Sequence, residues 1–172
     1  MIKIALIYGA IAGSISISVI TYGLASGGPS SQTFGYLTMI VALSLIFVGV
    51  KSYRDRYQGG VIKFGRAFLL GLAIASVAGG AYVIGWEIYL AFSEYAFIAD
   101  YTAGVIEAKR EAGVTGADLD KIIADMAAME KNYANPLFRL PMTFLEIFPM
   151  GLVIALISAA LLCNPKVLPA RG

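Results

Sequence analysis

Two glutamates sit where glutamate is rare. Glu87 lies in Gly-Trp-Glu-Ile-Tyr at 85–89 and Glu146 in Thr-Phe-Leu-Glu-Ile-Phe-Pro at 143–149, the only acidic positions in otherwise apolar runs. An ionisable group at membrane depth is costly unless a cation, a proton or a hydrogen-bond donor meets it, so each needs a partner. At about 1.5 Å per helical residue, Glu87 lies roughly 31 Å from Arg66 and Glu146 roughly 26 Å from Cys163, placing both in the outer third of a bilayer. The two runs are antiparallel, so the carboxylates can face each other. Pro149 has no N–H to give the Leu145 carbonyl beside Glu146, and Pro141 likewise leaves Leu137. Two carboxylates, the freed carbonyls, Thr143 and Tyr89 are hard oxygen ligands, suited to a proton, sodium or calcium. The competing reading is a structural clasp at the water boundary. In it Arg139, near the start of the fourth run, pairs with Glu87, while Tyr82, Trp86 and Tyr89 form an interfacial aromatic belt. The clasp is preferred, because intramembrane charges are usually paired and these two sit shallow. No catalytic residue, bound metal or cofactor is expected: the chain has no histidine, and Cys163 is its only cysteine, which excludes an intrachain disulfide and nitrogen-ligated metal sites.

The elements that must position these residues follow from composition. The chain has 172 residues, 59% of them apolar, with a mean hydropathy of +0.78, which describes a membrane protein rather than a soluble domain. Apolar runs at 4–25, 34–50, 67–92 and 140–163 each come near the roughly 17 to 25 residues that cross a hydrocarbon core of about 30 Å. The second is the shortest and recruits Thr33 or Lys51 at its ends. Gly-Leu-Ala at 23–25 is a faint cleavage-site pattern after Lys3, but a secretory apolar core is only about 7 to 15 residues long, so the first run is read as a retained helix. A net charge of +2 without a basic, aromatic-interleaved soluble domain sets nucleic acid aside.

Lys51, Arg54, Arg56, Lys63 and Arg66 lie between the second and third runs against Asp55 alone, whereas residues 26–33 carry no charge. With Lys3, Lys166 and Arg171 on the same side, the positive-inside rule puts both termini and the middle loop in the cytoplasm. The five cations are read first as this ordinary topology signal, and second as contacts to anionic lipid headgroups or a partner. Gly59-Gly60 marks a tight turn and not a phosphate loop, since no strand precedes it. Residues 93–139 hold five basic and eight acidic residues and face outward. There Tyr95, Ile98, Tyr101 or Thr102, Val105 and Ile106 recur at helical spacing, and Leu119, Ile122, Ile123, Met126, Met129 or Glu130, and Tyr133 resume the stripe after Gly113 and Gly116. The pattern predicts an extracytoplasmic amphipathic helical hairpin over 93–135. Its first arm is continuous with the third span, a capping box at Thr115–Asp118 starts its second arm, and its apolar faces pack on each other or on lipid. Asn135-Pro136 then supplies an N-cap and a first-turn proline for the fourth helix.

Small residues recur every four positions: Ala5, Gly9 and Gly13; Ala67, Gly71, Ala75 and Gly79; Gly151, Ala155 and Ala159. Such stripes let helices approach closely in lipid. The fold expected is an all-α membrane protein, a four-transmembrane-helix bundle forming one membrane domain over 1–172, and three stripes in four short helices point to a homo-oligomer or a larger membrane complex.

The motifs Val-Gly-Val-Lys-Ser-Tyr-Arg-Asp at 48–55, Gly-Gly-Val-Ile-Lys-Phe-Gly-Arg-Ala-Phe at 59–68, Gly-Trp-Glu-Ile-Tyr at 85–89, Asn-Pro-Leu-Phe-Arg at 135–139 and Thr-Phe-Leu-Glu-Ile-Phe-Pro-Met-Gly-Leu at 143–152 resemble the bacterial integral-membrane family called domain of unknown function 4199. The resemblance covers nearly the whole chain apart from 93–134. It implies a small four-span protein of the bacterial inner membrane and no assigned activity. Three function classes follow. A non-catalytic accessory or scaffold subunit, packing with other membrane subunits or with itself, is expected. A cation- or proton-coupled carrier or channel using Glu87 and Glu146 is the alternative. An intramembrane enzyme is the weakest, since no nucleophile and base share a defensible spacing.

Overall fold

In the computed structural model, which describes residues 1–26 and 32–170, the chain is helical with no strand among the described residues. Seven helices follow in order: α1 (Ile2–Ala25), α2 (Gln32–Leu43), α3 (Leu45–Tyr57), α4 (Phe64–Phe92), α5 (Ala96–Glu111), α6 (Ala117–Tyr133) and α7 (Pro136–Leu162). Four stretches are long and apolar enough to cross a membrane: α1, α2 with α3 (Thr33–Tyr57), α4 and α7. The protein is therefore an all-α, four-span membrane protein. Residues 27–31, within the first uncharged turn, and Arg171 lie outside the described residues.

The second span differs from its sequence reading. It runs from Thr33 to Tyr57, so Lys51, Arg54 and Arg56 are helical and only 58–63 form the turn. Its two helices join at Ser44, whose hydroxyl donates to the Val41 carbonyl (2.6 Å) while its own carbonyl accepts from Phe47 N (3.0 Å). A serine that bonds back to the preceding turn competes with the helix ladder and tightens it locally. Gly59 and Gly60 follow with φ of +59° and +85°, a reversal open to residues without a Cβ.

The chain divides into two compact units: Met1–Trp86 with Thr143–Gly172, and Glu87–Met142. In the first, the small-residue stripes are close-packing surfaces. A Cβ on Gly9 would sit 2.6 Å from Val77 Cβ, and one on Gly13 would strike the Ala78 carbonyl oxygen, so α1 lies directly on α4. A Cβ on Gly71 would be 2.8 Å from Ala155 Cβ, and one on Gly151 2.8 Å from Ala75 Cβ, which sets α4 against α7. Met39, Leu43, Ile46 and Val50 fill the core from the second span.

The second unit contains the hairpin. Helices α5 and α6 pack on each other, and the buried position of α5 is Thr102, whose neighbour Tyr101 is exposed. The Thr102 hydroxyl bonds the Glu130 carboxylate, so the stripe closes on a polar contact where apolar alternatives were also open. The expected continuity of the third span with α5 is not found. Helix α4 ends at Phe92 with Tyr95 N donating to Leu90 O (2.8 Å) and Glu94 N to Ala91 O (3.4 Å), a Schellman termination with Glu94 and Tyr95 at φ of +51° and +59°. No glycine announces this break. The capping box at Thr115 is corrected too: Gly116 is the N-cap, at φ +64°, with no side-chain capping bond. The glycine's backbone freedom starts the helix one residue later than the box requires. At α7 the expected start is present, with Leu137 N donating to Asn135 Oδ1 (3.0 Å) and Pro136 as the first helical residue.

Candidate functional site

Arg139 enters its site from the first turn of α7. Its Nε and Nη2 donate to Glu87 Oε1 and Oε2, each at 2.7 Å, the parallel two-bond geometry that a planar guanidinium offers a carboxylate. Nη1 donates to the Tyr133 carbonyl at 2.9 Å. Tyr133 is the last residue of α6, so the cation also meets a carbonyl that the end of a helix leaves without an intrahelical donor. The guanidinium carbon lies 5.3 Å from the Tyr95 ring centre and 5.7 Å from that of Tyr133, within cation–π range. The Arg139 side chain is 4% exposed against 27% for Glu87. One side chain thus joins residues from α4, α6 and α7 and the αL residue that precedes α5. Beside it a cavity of about 390 Å³ is lined by Tyr95, Ile98, Tyr133, Ala134, Pro136 and Arg139.

Glu146 has different surroundings. The buried Tyr82 hydroxyl donates to its Oε2 at 3.3 Å, and Oε1 receives no hydrogen bond from the described residues. The residue is exposed on α7, as are Met142, Leu145 and Pro149 around it. Thr143, one turn before Glu146, is buried, and Tyr89 on α4 is half-buried. The two glutamates belong to different units, and each has a partner of its own. Among the described residues no three His, Cys, Asp or Glu side chains come together as a metal site.

The five cations at and beyond the end of the second span separate in role. Arg54 is fully buried. Its Nε donates to Asp55 Oδ1 (2.7 Å), Nη1 to the carbonyls of Val167 (2.9 Å) and Leu162 (3.5 Å), and Nη2 to the Leu168 carbonyl. It therefore caps the end of α7 and fastens the segment after it, and it is not at a surface where lipid or a partner could reach it. Lys51 pairs with Asp55 (2.5 Å) one turn away, and Arg66 donates to Gln58 (2.7 Å). Arg56, Lys63 and Arg66 are exposed.

Sequence reasoning singled out Glu87 and Arg139 but missed Tyr95, Tyr133 and the role of Arg54. Tyr133 ends the apolar stripe of α6, two residues before the Asn135 cap, and that spacing is the one available signal that its carbonyl lies near Arg139. A family model described as a protein of unknown function (DUF4199) matches residues 3–164, nearly the whole chain. No curated protein and no solved structure matches it.

Proposed function

The chain belongs to the DUF4199 family, described as of unknown function, and from that premise we propose that it is a non-catalytic accessory or scaffold protein of the bacterial inner membrane. In this reading it packs with other membrane subunits or with copies of itself. The observation that carries the reading is the state of Arg139 and Glu87: two 2.7 Å bonds, a helix-end carbonyl and two aromatic rings surround one guanidinium. A conduit needs a carboxylate that exchanges its ion in each cycle, whereas this one is held by a fixed, almost fully buried cation. The small-residue stripes support the same reading, since they fasten the spans to one another. The positive-inside bias supports an orientation with both termini in the cytoplasm and the α5–α6 hairpin outside, and the exposed Arg56, Lys63 and Arg66 then face anionic lipid headgroups.

A cation- or proton-coupled carrier is the second reading, and its specific support is Glu146, an exposed residue whose Oε1 receives no hydrogen bond from the described residues. Proton and sodium flux into liposomes holding the purified protein separates the two. The scaffold reading expects flux no greater than in protein-free vesicles, and a folded Glu146→Gln variant with the same behaviour. Flux in the parent that disappears in that folded variant overturns it.

A further inference from the structure

We propose that the exposed face of α7 around Glu146 is an interface between two copies of this chain, in which the two Glu146 carboxyls meet and share a proton. The inference rests on the scaffold reading, in which the chain packs with copies of itself.

The first argument is depth. Glu146 stands ten residues after Pro136 and sixteen before Leu162 in a continuous 27-residue helix, about 15 Å and 24 Å from its ends at 1.5 Å per residue. A hydrocarbon core of about 30 Å centred on this helix encloses it. The second is incompleteness. Tyr82 supplies one donor to Oε2, Oε1 has none among the described residues, and the exposed residues beside it, Met142, Leu145, Pro149 and Val153, offer no side-chain donor. Pro149 has no N–H either, so the turn presents acceptors alone. A carboxyl left like this against lipid tails costs several kcal/mol, and something must cover it.

The third argument selects the occupant. The small-residue stripes that would pair helices by close backbone approach are already used between α1, α4 and α7, so the free face of α7 must associate by another chemistry. All copies insert in the same orientation, because lysines and arginines set it. In a two-fold pair whose axis runs along the membrane normal, a residue therefore meets its own equivalent at its own depth. A carboxylic acid is complementary to a carboxylate, with the O–H of one donating to an oxygen of the other and no other bond changing. A foreign helix would instead have to bring a donor to this one depth. Met142, Glu146, Pro149, Val153, Leu156 and Ala160 recur at three- and four-residue spacing, the seam of two helices crossing at a small angle, where one polar residue sets the register.

The test is energy transfer between donor- and acceptor-labelled copies, attached at Lys166→Cys in a Cys163→Ser background, in liposomes diluted with lipid. The parent is expected to associate. Glu146→Gln should associate within a fewfold of it, because a carboxamide both donates and accepts. Glu146→Leu should weaken association about tenfold although it is more apolar, the scale of one interhelical hydrogen bond in lipid. Val153→Trp, on the same exposed stripe, should also weaken it, and Ile84→Trp, on the exposed surface of α4, should not; this pair decides the matter if Glu146→Leu fails to fold. A monomeric parent, or association indifferent to both Glu146→Leu and Val153→Trp, overturns the proposal. Loss from Val153→Trp with a folded, fully associating Glu146→Leu also overturns it, because the face would then be right and the carboxyl pairing wrong. A monomeric parent leaves the scaffold reading standing with a foreign partner, whereas flux lost in Glu146→Gln removes that reading itself.

Discussion

Two arginines turned inward hold this molecule at its helix ends. Arg139→Met leaves Glu87 without its cation and the Tyr133 carbonyl without its donor. Removing one partner of a buried pair costs about 3 to 5 kcal/mol, and the lower end applies here because Glu87 is 27% exposed. Arg139→Lys keeps the charge but cannot make two parallel bonds, with an expected loss of about 1 to 3 kcal/mol. Reversible unfolding in mixed micelles measures both, and unchanged stability in Arg139→Met would sink the clasp. The pair itself was legible in the sequence: Glu87 is the one acidic residue of its run, and Arg139 sits just past a helix start that Asn135-Pro136 announces. Arg54 was not legible. On sequence it is one cation among five in an ordinary topology signal, and its burial depends on Leu162, Val167 and Leu168, more than a hundred residues later.

Among the helices, close approach separates glycines that look alike. Gly13→Ala drives a Cβ into the Ala78 carbonyl oxygen and to 2.8 Å from Ala81 Cβ, so α1 must move off α4 at a cost of about 1 to 3 kcal/mol. Gly80→Ala meets nothing within 4 Å and removes a helix-interior glycine, so it should be neutral or stabilise by up to about 1 kcal/mol. Thermal unfolding of both variants checks this, and equal shifts would contradict the packing of α1 on α4. The stripes and the start of α7 were readable because small-residue periodicity and the Asn-Pro signal are local. The break after Phe92 was not, since Ser93, Glu94 and Tyr95 carry no breaker. Two successive non-glycine residues with positive φ are disfavoured on their own and persist only where the surroundings hold them. Tyr95 is held against the Arg139 guanidinium. The start of α6 failed for the opposite reason: Thr115–Asp118 fits a capping box, but Gly116 takes the cap through its backbone.

At the scale of the whole molecule, orientation is the property to measure. A reporter active only outside the cytoplasm should be silent when fused after Gly172 and active when inserted at Gly113, between α5 and α6. The reverse pattern would turn the protein over and remove the positive-inside argument. Four spans, their small-residue stripes and the helical hairpin were determined by the sequence alone, because apolar length and periodicity are summed along the chain and need no distant partner. Only the tertiary structure decided that the stripes are used up between the spans, that Arg54 is a buried latch, and that Glu146 meets the Tyr82 hydroxyl through one oxygen. A helical residue's direction is set by which face its neighbours cover, and those neighbours lie far away in the chain. A glutamate in an apolar run is a closed clasp at position 87 and an open acceptor at position 146, according to whether a guanidinium from another helix reaches it.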